Sequence, residues 1–382
     1  MNISRIQGYP ILLDHARGEG MVVSCYADTS VVGGFEARWG PPLQQEAREV
    51  RKRMSDDPES IQEFERQLGL IRESLESAGH RGVRGMAVFG GSNWDRVVAI
   101  ESEVPFANRL VVNEEPYLVP FLLEELQRPR YLAILTDTHR GRIYEARPGS
   151  SRLLDELEGD VPRKNRSAGE QWGKQQATIA RHREECILHY FKDLVDRVEG
   201  AWNEHLHRGI ILLGEHEILE NFRAELPERL ACKVVAEIPH AWAGEQPAIE
   251  DQFARVASEA ALVEQKELLA EVGRRLQEGS AVTTGPQEVI QALANGQVRT
   301  LVFGPDLGAV GWRCNQCRSL FATEERACPY CKSPCERADL WQEILARALN
   351  HRVDVHYIPA DPGLRVPGEI AALLLRDEPQ WT

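Results

Sequence analysis

The chain has 382 residues, of which 42% are hydrophobic and 27% charged, enough for two or three folded domains. No segment approaches the ~20 consecutive apolar residues of a membrane span, and the N-terminus lacks the apolar core of a secretory signal, so we expect a cytoplasmic protein without a membrane partner. The formal net charge of −14 excludes a protein that is basic over its whole surface, and no DNA partner is expected.

Residues 1–126 are predicted to form an N-terminal α/β domain. Residues 21–26 alternate like a strand, and residues 85–90 and 96–101 resemble two strands joined by a turn. Between them, residues 42–78 show apolar side chains spaced by three or four, which is typical of an amphipathic helix.

Residues 127–245 are predicted to form a central domain. It opens with a hairpin, because two strand-like runs flank a short loop that glycine closes at Gly141. An acidic stretch and a loop follow, and then come a helix, a strand, a helix and a strand. This order, β-β-loop-α-β-α-β, indicates a small α/β domain.

A basic segment lies in the middle of this domain. Residues 161–183 contain six basic residues and one acidic residue, so they carry a local excess of positive charge in an acidic chain. Such a patch suits contact with phosphates, although a solvated helix start would have the same composition. Trp172 could stack on a nucleobase or pack on its own domain. The candidate RNA-binding residues are Arg163, Lys164, Arg166, Trp172, Lys174, Arg181 and Arg183.

Residues 246–382 are predicted to form the C-terminal domain. A long helix over 249–277 comes first, and a helix and a strand follow it. After an insertion, a further helix and two strands, the last over 370–375, complete another α/β unit.

The insertion, residues 312–335, holds two Cys-x2-Cys pairs with ten residues between them. Two such turns supply the four thiolates of a closed tetrahedral site, so we expect a zinc ribbon with a structural Zn²⁺. Disulfides are the alternative, but they need an oxidising compartment. Cys335 is either a spare thiol or a substitute for Cys331. The expected ligands are Cys314, Cys317, Cys328 and Cys331.

These segments resemble the archaeo-eukaryotic class-1 release factors and their relative Pelota, in particular the bacterial branch and its family 10. The hairpin YLAILTDTHRGRIYEA is similar to the opening of the superfamily's central domain, and the basic segment with the helix after it is similar to that domain's glycine-rich loop. The run TTGPQEVIQALANGQVRTLVFG, the cysteine insert and the tail GEIAALLLR are similar to the last domain. The resemblance covers residues 131–376 well and the first 125 only in outline.

The resemblance implies an α/β (α+β) protein of three domains. The central domain would be RNase H-like, and the C-terminal domain would be like ribosomal protein L7Ae, with the zinc ribbon inserted. In release factors, a Gly-Gly-Gln loop assists hydrolysis of the peptidyl–tRNA ester. This chain offers Gln171 or Gln175 as the catalytic residue, and in both candidates a long side chain replaces the middle glycine. An Asn-Ile-Lys-Ser motif for stop codons is also absent from the first domain.

Three functions follow from these observations. The first is a ribosome-associated factor that occupies the A site for hibernation or rescue, as Balon-type hibernation factors do, without standard stop-codon reading. The second is a peptidyl-tRNA hydrolase that uses the degenerate loop. The third is a non-ribosomal interaction protein on the same fold. For the first two, the implied partners are ribosomal RNA and an elongation-factor GTPase.

Overall fold

The computed structural model describes residues 20–32, 36–54, 57–80, 83–92, 94–162, 173–204, 206–239, 246–305, 310–360 and 363–375. It shows a mixed α/β protein with several sheets flanked by helices, which confirms the predicted fold class. The chain divides into two compact units: one contains Gln127–Ser280, and the other combines Asn2–Leu126 with Ala281–Thr382. Within the described ranges, no helix combines the length and the apolar character needed to cross a bilayer.

The N-terminal part of the second unit contains a four-stranded sheet and three helices. Its strands are ordered β5-β4-β1-β6 and all are antiparallel. The elements are β1 (Val22–Asp28), β2 (Val31–Val32), β3 (Glu36–Ala37), α1 (Gly40–Arg53), α2 (Pro58–His80), β4 (Gly85–Gly91), β5 (Val98–Ser102), β6 (Arg109–Asn113) and α3 (Val119–Gln127).

One face of this sheet packs against α1 and α2. In α2, apolar residues recur every three or four positions and are fully buried, as Phe64, Leu68 and Ile71 show. They meet the alternate residues of β1, such as Val23 and Cys25, because the side chains of a strand point to its two faces in turn.

The opposite face of the sheet holds a buried tyrosine. The Tyr26 hydroxyl donates to the Tyr117 carbonyl oxygen at 2.6 Å, and its ring lies edge-on against Phe89 and Phe106. The Tyr117 N–H donates to Ser24 Oγ at 2.9 Å. The segment before α3 is therefore fixed to the sheet by buried hydrogen bonds.

The C-terminal part of the same unit contains a second four-stranded sheet, with order β12-β18-β13-β17, and a three-stranded sheet in the insertion. In the first, β13 is parallel to β17 and antiparallel to β18. The elements are β12 (Val282–Thr284), α8 (Pro286–Ala294), β13 (Val298–Phe303), β14 (Val310–Cys314), β15 (Leu320–Phe321), β16 (Cys335–Asp339), α9 (Leu340–Asn350), β17 (Asp354–Tyr357), a 3-10 turn (Pro367–Glu369) and β18 (Ile370–Leu374).

The central unit is built on a five-stranded sheet with order β11-β10-β7-β8-β9. Along the chain, β7, β8 and β9 are antiparallel neighbours, and β10 and β11 run parallel to β7. Its elements are β7 (Arg130–Thr136), β8 (Arg140–Arg147), β9 (Ser150–Glu158), α4 (Gly173–Ala201), β10 (His207–Gly214), α5 (His216–Glu225), α6 (Glu228–Ala231), β11 (Val234–Pro239) and α7 (Gln246–Glu278).

The strand β9 was absent from the predicted order, which placed an acidic stretch there. In the structure, exposed and half-buried residues alternate along β9, which pairs with β8 at the edge of the sheet. Its acidic residues point to solvent or meet arginines, as Asp155 does with Arg197 at 2.6 Å. An edge strand needs apolar residues on only one face. The charged residues of β9 therefore made this strand look like a loop in the sequence.

The helix α7 packs against the central sheet, whereas the sequence assigned it to the C-terminal domain that starts at residue 246. Ile249, Phe253 and Ala257 are buried against Tyr131 and Tyr144 of β7 and β8. The compact unit therefore extends to Ser280 rather than to residue 245. The difference arises because the apolar pattern of a helix does not indicate which of two sheets the helix covers.

Candidate metal centre and nucleic-acid interface

The first Cys-x2-Cys turn follows β14. Its backbone closes through two hydrogen bonds: the Cys314 N–H donates to the Ser319 carbonyl at 2.9 Å, and the Arg318 N–H donates to the Cys314 carbonyl at 3.1 Å. Arg318 has φ of 58°, in the left-handed region that favours glycine. This tight turn directs Cys314 and Cys317 to the same point.

The second turn repeats the first almost bond for bond. The Cys328 N–H donates to the Ser333 carbonyl at 2.8 Å, and the Lys332 N–H donates to the Cys328 carbonyl at 2.9 Å. Lys332 has φ of 64°, matching its counterpart in the first turn. The ribbon therefore consists of two equivalent turns, each of which presents two cysteines.

The four sulfurs of these turns form one cluster. All lie within 4.8 Å of one another, with 3.3 Å between Cys314 and Cys331 and 3.5 Å between Cys317 and Cys328. A tetrahedral zinc ion with Zn–S distances of about 2.3 Å requires sulfurs about 3.8 Å apart. The donor set and spacing thus fit a zinc ion held by four thiolates, and no cysteine of the chain is in a disulfide.

The second cysteine of each turn is prepared to lose its proton. Donation from the Ser319 hydroxyl and N–H lowers the pKa of Cys317, and donation from the Ser333 N–H lowers the pKa of Cys331 to about 6. Hydrogen bonds to a thiolate stabilise its charged form. Since a metal binds the thiolate and not the thiol, Cys317 and Cys331 are suited to metal binding, whereas burial raises the pKa of Cys328 to about 11.

The fifth cysteine of this region stays outside the cluster. Cys335 is on β16, opposite Cys314 in the β14–β16 ladder, and its N–H donates to the Arg326 carbonyl at 3.1 Å. Burial raises the pKa of its thiol, which favours the neutral form. Of the two roles that the sequence left open, this position corresponds to the spare thiol.

The ribbon is fixed to the helix α9 that follows it. Arg313 of β14 pairs with Glu343 of α9 at 2.8 Å, and Arg347 of α9 donates to the Arg318 carbonyl of the first turn at 2.7 Å. Glu343 also lies 3.4 Å from Arg347, so one carboxylate joins both arginines. The insertion is therefore held in one orientation on the C-terminal sheet domain.

The N-terminal and C-terminal parts of this unit meet where the ribbon ends. Asp339 caps α9 by accepting the Gln342 N–H at 3.1 Å, and its other oxygen accepts the Tyr117 hydroxyl at 3.1 Å. The Gln342 side chain accepts from the Leu118 N–H at 3.1 Å and donates to the Pro116 carbonyl at 2.9 Å. A helix cap thus also joins the two domains.

Residues 163–172 of the predicted basic segment lie outside the described residues. The segment begins after β9 and extends into α4, whose first turn starts at Gly173. Lys174 and Gln175 lie in that first helical turn. The predicted site residues outside the described ranges are Arg163, Lys164, Arg166, Gln171 and Trp172.

The two described arginines of the segment are not neutralised by carboxylates. Arg181 is exposed, and no ion pair involves it in the part of the chain that the structure describes. Arg183 donates to the Pro162 carbonyl at 3.2 Å and to Thr138 Oγ1 at 3.3 Å. Its positive charge therefore remains available to an external anion.

The base of the segment is held together by hydrogen bonds. The Tyr190 hydroxyl of α4 hydrogen-bonds to Thr136 Oγ1 of β7 at 2.8 Å, and the Gly159 N–H donates to the His139 carbonyl at 2.7 Å. A Cβ atom at Gly159 or Gly141 would lie within 2.9 Å of the Tyr190 side chain. Glycine at both positions lets α4 approach the end of the sheet from which the segment extends.

Several features of the site were not predicted. The cap at Asp339 depends on contacts between the N-terminal and C-terminal parts of the unit, and Ser319 and Ser333 each act on a cysteine two positions away. A repeat was nevertheless visible in the sequence, because Ser319 and Ser333 each follow the second cysteine of a pair by two positions.

A family model matches the centre of the chain. Residues 116–258 match the bacterial archaeo-eukaryotic release factor family 10. Over this segment, the chain resembles family 10. This confirms the resemblance on which the sequence expectation was based, including its bacterial branch. No curated protein matches the sequence.

Solved structures of translation factors are also similar, at low identity. An archaeal translation termination factor, aRF1, is 16% identical over 96% of this chain and 97% of its own, with a TM-score of 0.28. Ribosome-bound archaeal Pelota, described in a model with ABCE1, is 12% identical over 96% and 93%, with a TM-score of 0.41. Dom34 of S. cerevisiae, described as interacting with Hbs1, is 11% identical over 73% and 72%, with a TM-score of 0.40. At these scores, the superpositions establish no function for this chain.

Proposed function

We propose that this chain is a ribosome-associated translation factor of the release-factor and Pelota type. It would act in the cytoplasm, enter the ribosomal A site and serve hibernation or rescue without standard stop-codon reading. The observation that supports this most is the family 10 match over residues 116–258, a range that includes the basic segment.

The charge arrangement supports contact with ribosomal RNA. The chain carries −14 overall, yet residues 161–183, which follow β9 and continue into α4, carry a local excess of positive charge. Among the described residues, no carboxylate pairs with Arg181 or Arg183. Positive charge concentrated in one loop can bind phosphates locally while the acidic remainder limits binding elsewhere.

The backbone of α4 bears on the hydrolase alternative. The resemblance associates catalysis with a tight glycine turn before the glutamine, and Gly173–Gln175 form the first turn of a helix instead. Gln171 is then the remaining candidate, preceded by Glu170, whose carboxylate disfavours a developing oxyanion. Both facts favour a factor that binds without cleaving.

Delivery by an elongation-factor GTPase is part of the proposal. Arg313, Glu343 and Arg347 join the ribbon to α9, and the resulting surface would meet a protein partner or the base of the ribosomal stalk. The four clustered cysteines would hold the zinc ion that maintains it.

Sedimentation tests the proposal. Tagged protein in lysates from growing and starved cells should co-migrate with ribosomal particles on sucrose gradients. Replacing Arg163 and Lys164 by glutamine should weaken this association. The slope of log K against log salt concentration should become shallower by the amount expected for the loss of up to about two phosphate contacts. The matched control replaces Arg51 and Lys52 of α1, which pair with Glu65 and Glu49, and should change nothing. Protein that stays at the top of every gradient would eliminate the proposal.

A release assay separates binding from hydrolysis. Stalled ribosomes carrying peptidyl-tRNA should keep their peptide when the purified protein binds. Release that disappears on Gln171→Ala but survives Gln175→Ala would establish the hydrolase instead.

A further inference from the structure

The outer face of the ribbon sheet carries a row of aromatic side chains. Trp312 of β14 lies opposite Phe321 of β15 on one side and Arg337 of β16 on the other. Residues opposite each other in antiparallel strands share a face, so these three form a line across the sheet. The Tyr330 ring extends the line, stacked on Phe321 with 6.1 Å between ring centroids and 23° between planes.

The other face of the same sheet is already covered. Arg313 points to Glu343 of α9, and a Cβ atom at Gly311 would lie 2.8 Å from the Leu340 side chain. The aromatic row, by contrast, turns away from α9. Tyr330 is 73% exposed, more than any other large hydrophobic residue in the described part of the chain.

The Tyr330 ring is positioned by its neighbours in the ribbon. Tyr330 lies between Cys328 and Cys331, inside the second turn of the candidate metal centre. Phe321, beneath it, is only 5% exposed and packs with Cys314 and Cys328. A fixed, flat ring loses little conformational entropy on binding, which favours affinity.

Cations flank the row without carboxylate partners. The Arg337 guanidinium lies 5.7 Å from the centre of the Trp312 ring, and the Lys332 ammonium donates to the Pro329 carbonyl at 3.0 Å. Within the described residues, neither has a carboxylate at ion-pair distance. The nearby Glu324 pairs with Arg326 at 3.4 Å instead.

We propose that this face binds single-stranded RNA, with an unpaired base stacked on Tyr330 and phosphates at Lys332 and Arg337. Stacking on aromatic rings beside cations is how proteins hold unpaired nucleotides without reading their sequence. An exposed flat ring beside cations that have no carboxylate partner among the described residues favours a base and its phosphate over a peptide. The inference extends the proposed function, because it adds a second RNA contact remote in sequence from the basic segment.

RNA binding by the full-length zinc-loaded protein tests the inference. The probe is a fluorescein-labelled, unstructured RNA oligonucleotide, and its anisotropy gives Kd. The background carries glutamine at Arg163, Lys164 and Arg166, so that the basic segment contributes little. Tyr330→Ala should weaken binding at least about fivefold, as expected for one lost base stack, whereas Tyr330→Phe should retain it.

A pair of arginine variants supplies the charge control. Arg337→Gln should weaken RNA binding and reduce its salt dependence, whereas Arg326→Gln, which removes a paired and highly exposed arginine, should change Kd less than twofold. Zinc content near one equivalent and an unchanged circular dichroism spectrum show that each variant is folded.

The outcomes separate this inference from the proposed function. Equal Kd values for Tyr330→Ala and the parent protein would overturn the ribbon site, even if the protein sediments with ribosomes. Weaker sedimentation of Tyr330→Ala with unchanged oligonucleotide binding would also overturn it, since the face would then contact protein. Loss of oligonucleotide binding supports it, whether or not ribosomes are bound.

Discussion

Replacing Cys331 by serine should weaken zinc binding strongly, whereas replacing Cys335 should not. Both side chains are half-buried and belong to the same ribbon, but only Cys331 belongs to the cluster in which all four sulfurs lie within 4.8 Å. The two variants remove the same atom type from neighbouring positions. Any difference between them therefore reports the role of the sulfur.

The expected loss of zinc affinity in Cys331→Ser follows from the number of ligands. Structural zinc sites bind with about 10–16 kcal/mol, so one of four equivalent thiolates contributes roughly 3 kcal/mol, or about 100-fold in Kd. Competition with a chromophoric chelator measures this, and metal analysis gives the stoichiometry. If Cys335→Ser loses zinc while Cys331→Ser keeps it, the assignment of the cluster is wrong.

Three further predictions concern the second cysteine turn and the central domain. Lys332→Gly should stabilise the ribbon by about 0.5–1 kcal/mol and tighten zinc binding, because its φ of 64° suits glycine; weaker binding would contradict this. Gly141→Ala should lower the free energy of unfolding by about 1–3 kcal/mol in urea titrations, since its Cβ would lie 2.8 Å from Leu194 and Tyr190. Burial lowers the pKa of His207 to about 4, so the unfolded state binds the extra proton and stability falls as pH decreases from about 6.5 to 4. On going from pH 7 to pH 5, the free energy of unfolding should decrease by about 2 kcal/mol less in His207→Asn than in the parent protein. Equal decreases would show that His207 is not the cause.

Local patterns predicted most of the elements. The hairpin of β7 and β8, the helix α4 and the strand β10 follow from alternation, apolar spacing and a loop glycine, all of which lie within short stretches of sequence. The edge strand β9 was not predicted, because only one of its faces is covered and its charged residues resembled a loop.

The partner of a long helix could not be deduced in the same way. The helix α7 was expected from its continuous pattern, but its assignment to the central sheet depends on Phe253 and Tyr144, whose rings are 5.0 Å apart. That contact joins residues more than a hundred positions apart. Periodicity along one helix contains no information about which of two sheets it covers.

For the candidate site, spacing was sufficient where the chemistry is local. Cys-x2-Cys fixes two sulfurs in one turn, and the structure brings the two pairs together. The exposure of Tyr330 and its stacking on Phe321 require knowledge of which strands are neighbours. The role of the basic segment remains a proposal, since charge alone suits both a phosphate contact and a solvated surface.

Cryo-electron microscopy of ribosomes purified through the tagged protein tests the central claim most directly. We expect the protein in the A site, with the segment between β9 and α4 against ribosomal RNA and Arg181 and Arg183 near phosphates. Ribosomes that lack the protein, or that hold it with this segment turned to solvent, would contradict the account.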